Sequence, residues 1–195
     1  MKNLFKGILI VSVAVISLSA CKKNKSNDPS PTAPIEVGGG DEENITRVVL
    51  FLANDTEKDT VTFNDPTGKG TNVMVDSLIL KVSTSYLVEV KIYDDTKTPT
   101  SIVSNEILSE ANFHRFHYTF ASTYGTPSLV TIITDQDNRI PPQPLGLRFD
   151  LLTGANVGNG KFKVSLRHFA GGAEKTSDPA GGDSDISIEF PVRIK

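Results

Sequence analysis

From residue 45 onward, apolar side chains recur at every second position over one short stretch after another, and this period of two predicts strands. Tyr86, Val88, Val90 and Ile92 fall on one face while Ser85, Glu89 and Lys91 fall on the other, the pattern of a strand buried on one side. Phe162, Val164 and Leu166 alternate with Lys161, Lys163, Ser165 and Arg167 in the same way. Ile186, Ile188, Phe190, Val192 and Ile194 alternate with Ser187, Glu189 and Arg193, giving another core strand. Further strands are expected at Arg47 to Ala53, Thr60 to Asn64, Ser77 to Val82, Phe116 to Ala121, Ser128 to Thr134 and Leu145 to Leu152. Gly154, Asn156, Gly158, Asn159 and Gly160 crowd the connection before Lys161, as a β-hairpin requires where φ turns positive. Only Asn105 to Phe113 has the pattern of a helical turn or two.

About nine strands with turn residues between them predict an all-β fold, an antiparallel immunoglobulin-like β-sandwich over residues 45–195. The two inner faces of such a sandwich need apolar rows, which the alternating Val, Ile, Leu and Phe positions provide. The Cys, Trp and Cys signature of antibody domains is absent, since the chain has one cysteine and no tryptophan. A division into two smaller subdomains at Asn138-Arg139-Ile140-Pro141-Pro142 is the alternative to a single domain.

Before residue 45 the pattern changes twice. Lys2 and Lys6 precede an apolar run from Ile8 to Ile16 that is too short to span a bilayer, and Leu18-Ser19-Ala20-Cys21 follows it. This is the pattern of a lipoprotein signal peptide over residues 1–20, with Cys21 as the lipidated residue. Two or more acyl chains on Cys21, at about 0.8 kcal/mol per buried methylene, would anchor the protein stably to a membrane surface. Residues 21–44 are polar and carry Pro29, Pro31, Pro34 and Gly38-Gly39-Gly40, a composition expected of a disordered tether. Lys22, Lys23 and Lys25 would lie against lipid headgroups.

Cleavage before Cys21 leaves 175 residues and, with Lys2 and Lys6 removed, moves the formal charge from −3 to −5. An acidic body of this kind argues against nucleic acid and against anionic lipid as natural partners. No nucleophile elbow, phosphate loop or dinucleotide fingerprint occurs, so no enzymatic activity is expected.

The candidate chemistry lies in three histidines. In a strand, His114 shares a face with Phe116, Tyr118 and Phe120, while His117 and Arg115 point the other way. His168 continues the Phe162, Val164, Leu166 face. If the two rims meet, His114 and His168 could hold a divalent transition metal with Glu110, Asp183 or Asp185; otherwise they cap the core. Asp135-Gln136-Asp137-Asn138 places oxygens at alternate positions as calcium loops do, but it lacks the glycine and the distal glutamate and reads as a polar turn.

Glu106-Ile107 through Glu110, then His114, Phe116 and Tyr118, Asp135-x-Asp137, Leu145-Gly146-Leu147, Thr153-Gly154, Leu166-Arg167-His168 and Gly182-Asp183-Ser184-Asp185-Ile186 to Phe190-Pro191-Val192 together resemble a family of uncharacterised Bacteroidota envelope lipoproteins. Members accompany TonB-dependent outer-membrane receptors, and some are labelled type 1 periplasmic-binding folds, a label that a nearly all-strand chain does not fit. Where those relatives have a short glycine-bearing segment, this chain carries Arg139-Ile140-Pro141-Pro142-Gln143-Pro144. Two further features resemble those of Bacteroidota envelope proteins at large. In their lipoproteins an acidic run soon after the cysteine marks export to the cell surface, and the absence of acids between Cys21 and Asp28 implies an outer-membrane lipoprotein facing the periplasm rather than the cell surface. Asp59-Thr60-Val61 and Asp76-Ser77-Leu78 resemble the short O-glycosylation signal of those proteins, with Thr60 and Ser77 as the candidate acceptors.

The expected function is that of a non-enzymatic binding module accessory to a nutrient receptor. Metal delivery through His114 and His168 is the alternative. Surface glycan binding ranks lower, because tryptophan is absent and only 4 tyrosines are present.

Overall fold

The structure, a computed structural model, describes residues 36–37, 44–169 and 175–195. The signal-peptide residues and Cys21 lie outside the described residues. The strands are β1 (Glu36–Val37), β2 (Arg47–Ala53), β3 (Lys58–Asn64), β4 (Met74–Val75), β5 (Leu78–Leu80) and β6 (Ser85–Tyr93). After helix α1 (Val103–Ser109) come β7 (His114–Gly125), β8 (Leu129–Ile133), β9 (Arg148–Thr153), β10 (Gly158–His168) and β11 (Asp183–Ile194).

They form an all-β sandwich. One sheet runs in the order β1-β11-β10-β7, with β5 also beside β11, and the other runs β4-β3-β2-β6-β9-β8. The alternating rows meet between them: Val48, Leu50, Leu52, Val88, Val90, Ile92, Phe149 and Leu151 pack in one cluster with Phe116, Phe162, Val164, Leu166, Ile186, Ile188 and Phe190. Tyr118, Phe149 and Phe162 form a triangle of rings, with the Tyr118 centroid 4.2 Å from Phe149 in a tilted contact and 5.7 Å from Phe162 in a stacked one. Its hydroxyl donates to the carbonyl of Gly146, and burial holds its pKa well above the usual value.

Four features depart from the sequence expectation. β5 runs parallel to β11, pairing Leu78 to Leu80 with Val192 to Ile194, so the sandwich is not purely antiparallel. The cause is a crossover: the chain leaves the edge of one sheet at Asp76, whose amide still donates to Thr62, and joins the other sheet two residues later. Within the expected tether, Glu36 and Val37 pair with Ser187 and Ile186, an addition made by main-chain groups that needs no apolar side chain. Asn44, at the boundary of that tether, is held by its side-chain amide to Asp94 and Thr96. The helix begins two residues before Asn105, because Val103 and Ile107 together bury its inner face.

The proline segment does not divide the body. The described residues 44–169 and 175–195 belong to one compact unit. The flanking strands β8 and β9 pair directly, and Leu145 donates to the carbonyl of Asp135 across the loop.

Candidate functional site

Strand register brings the histidines together. His114 faces His168 across β7 and β10, and His168 in turn faces Asp183 on β11. Their rings stack with centroids 4.7 Å apart and planes within 18° of parallel. His114 is fully buried, its Nδ1 3.2 Å from the carbonyl oxygen of Glu110 and its Nε2 3.9 Å from an Asp185 oxygen.

A metal bound to imidazole lies in the ring plane about 2 Å from the nitrogen, and two stacked, nearly parallel rings share no such point. Glu110 offers His114 its main-chain oxygen, while its side chain is exposed like that of Asp183. Among the described residues no group of three or more His, Cys, Asp or Glu is placed to hold a metal. The condition that the two rims meet is thus fulfilled, but the ring geometry is that of a core cap, and among the described residues Glu110, Asp183 and Asp185 do not join the histidines in a metal-holding group.

Beside the histidines lies a buried ion pair that the sequence did not disclose. Lys175 Nζ stands 2.8 Å from Asp137 Oδ2 and donates to the carbonyls of Ala111 at 2.9 Å and His114 at 3.0 Å. Asp137 Oδ1 accepts from the amides of Arg139 and Gln143. Burial lowers the lysine pKa, opposed by Asp137, whereas the hydrogen bonds from Gln143, Lys175 and Arg139 outweigh burial and keep the aspartate below its ordinary value. Asp135 accepts from the Gly146 amide. Both acids of the calcium-like stretch are thus engaged within the protein.

The outer faces of the two sheets differ in kind. On the five-stranded sheet, Arg115, Arg167 and Ser184 form one row across β7, β10 and β11, and His117, Ser165 and Ser187 form the next. His117 was expected to point away from the core, and it does, yet it is only 7 % exposed. Burial, then the charges of Arg115 and Arg167, lower its pKa to about 4, against a smaller opposing effect of Asp178.

On the six-stranded sheet, the outer face carries an apolar stripe. Leu87 lies between Ala53 and Asp150, Asp150 faces Ile132, and Leu152 faces Val130. Phe51 is diagonal to Leu87. Leu87 is 67 % exposed, Val130 53 %, Ile132 50 % and Phe51 41 %. Within the stripe, Asp150 Oδ1 is buried without a hydrogen-bond partner. β8, the last strand of the stripe, pairs with β9 alone among the described strands, and its sequence Leu-Val-Thr-Ile-Ile carries no charge.

Other features are less demanding of a partner. A cleft of about 250 Å³ beside β3 and β5 is lined by Glu57, Asp59, Lys81 and Lys195, with Lys81 and Glu57 paired at 2.8 Å. Thr60 and Ser77 are both exposed.

No protein-family model, curated protein or solved structure matches this chain. Among the described residues, no helix is long and apolar enough to cross a membrane.

Proposed function

We propose that this chain is a non-enzymatic binding module of the cell envelope, a lipoprotein anchored at the outer membrane through Cys21 and facing the periplasm, and that it docks onto a TonB-dependent nutrient receptor. The observation that carries the reading is the stripe of Phe51, Leu87, Val130 and Ile132, which runs to the open edge of β8. An uncharged edge strand offers main-chain donors and acceptors to an added strand, and the exposed alternate residues give that strand apolar contacts. Asp150 adds polarity to the requirement, because its buried oxygen gains a partner only if the docking surface supplies a donor. The location and the receptor rest on the signal-peptide pattern and on the family resemblance.

The stacked histidines do not favour metal delivery, and a chain without tryptophan and with 4 tyrosines gives little support to an aromatic glycan platform. Affinity purification of the lipidated protein from envelopes, beside Leu87→Lys and Ile132→Lys, tests the reading. The receptor should be recovered with the unsubstituted protein and with a Thr119→Lys control on the other sheet, and lost with both stripe variants. Recovery that is equal in all four samples, or no receptor in any, would refute it.

A further inference from the structure

The outer face of the five-stranded sheet sets two arginines directly opposite each other, Arg115 on β7 and Arg167 on β10. Like charges in this arrangement repel, and a protein normally interposes a carboxylate. None is interposed here: neither guanidinium makes a hydrogen bond or a salt bridge among the described residues, and the Nε of each is buried without a partner. Ser184, next in the same row, has a buried hydroxyl oxygen in the same condition, and so has Nε2 of His117 in the adjacent row. The neighbouring Ser165 and Ser187 hydroxyls bond only to each other, at 3.2 Å.

Two acids on this side of the molecule are engaged elsewhere. Asp178 acts on His117 but its Oδ1 accepts from the Ala180 amide, and Glu189 is paired with Lys161 at 3.0 Å. Four buried, unpartnered polar atoms on three adjacent strands, two of them on fixed positive charges, therefore lie together beneath one region of the outer face.

We propose that this two-row field, Arg115, Arg167, Ser184 and His117, binds the phosphoryl group of a phosphate-bearing ligand. A carboxylate has two oxygens and is satisfied by one guanidinium fork, whereas a phosphoryl group presents three and can accept from two arginines and a hydroxyl at once. Arginine is also the side chain best suited to planar, bidentate contact with such an anion. The inference is independent of receptor docking, because it uses the opposite sheet and none of the stripe residues. The phosphoryl group can belong to a free phosphate or to a phospholipid headgroup.

Calorimetric titration of the full-length protein in detergent distinguishes the two sources, with orthophosphate in one arm, dihexanoyl phosphatidic acid below its micellar concentration in a second, and acetate in a third. Either phosphate probe should bind, with affinity falling as salt rises and weakening about tenfold or more in Arg115→Gln and Arg167→Gln. Binding of orthophosphate assigns a free ligand, and binding of the lipid alone assigns a headgroup. Imidazole NMR of the unsubstituted protein gives a readout that does not depend on how the variants fold. A bound dianion should raise the His117 pKa from about 4 towards its ordinary value. Failure of both phosphate probes, equal binding by the arginine variants, acetate binding as tight as phosphate, or an unmoved His117 pKa at saturation would overturn the proposal.

Discussion

His117 has a chemical setting unlike that of the other two histidines, because it is buried on the outside of a sheet beside two arginines and makes no hydrogen bond from Nε2. Its pKa in the folded protein, about 4, lies below the 6.5 of an ordinary imidazole. A group depressed in this way adds stability that is fully present above the unfolded pKa and is lost as pH falls through the folded one. In phosphate-free buffer, urea titrations from pH 7.5 downward should therefore show stability falling between about pH 6.5 and 4, by at most about 3 kcal/mol from this residue. His117→Asn should flatten that part of the profile. The Lys175–Asp137 pair makes a prediction of a different kind, carried by the loss of a buried counter-charge. Lys175→Met leaves a buried carboxylate uncompensated and should cost about 3–5 kcal/mol in chemical denaturation, while a Lys175→Met, Asp137→Asn double variant should recover part of the loss.

At the scale of elements, the central strands of the sandwich follow from local chemistry and the edges do not. The inner faces of β6, β10 and β11 were legible because burial on one side imposes a period of two, and every apolar position named for them is in the core. The rim position of His114 followed from the same phase. The partner of each strand was not legible, because register is a long-range property. Arg115 and Arg167 each read as an ordinary polar-face residue, and only pairing makes them neighbours. β1 and β4, at two residues each, are too short to show a period, and β5 is parallel because of a crossover that no local pattern encodes. Asp137 looked like a turn residue, since its counter-charge Lys175 lies 38 positions further on. The hairpin glycines were read as turn formers, but Gly160 has a different role. A Cβ there would stand 2.3 Å from the Phe120 ring and 2.7 Å from the Ala121 carbonyl, next to a register shift between β7 and β10. Gly160→Ala should thus destabilise the protein by about 1–3 kcal/mol through overpacking, read as a lowered urea midpoint.

The whole molecule is a sandwich whose two outer surfaces differ in character. One carries an apolar stripe that crosses four strands and ends at an open edge; the other carries two facing arginines whose Nε atoms are buried without a partner. Under the proposals above, one face serves a protein partner and the other a small anion. Receptor docking is the central claim, and photocrosslinking in intact cells tests it most directly. With a photoreactive phenylalanine analogue at Leu87 or Ile132, irradiation should join the protein to an outer-membrane TonB-dependent receptor, identified by mass spectrometry, and the same analogue at Thr119 should yield no such adduct. Absence of a receptor adduct from both stripe positions, or an equal adduct from Thr119, would contradict the account.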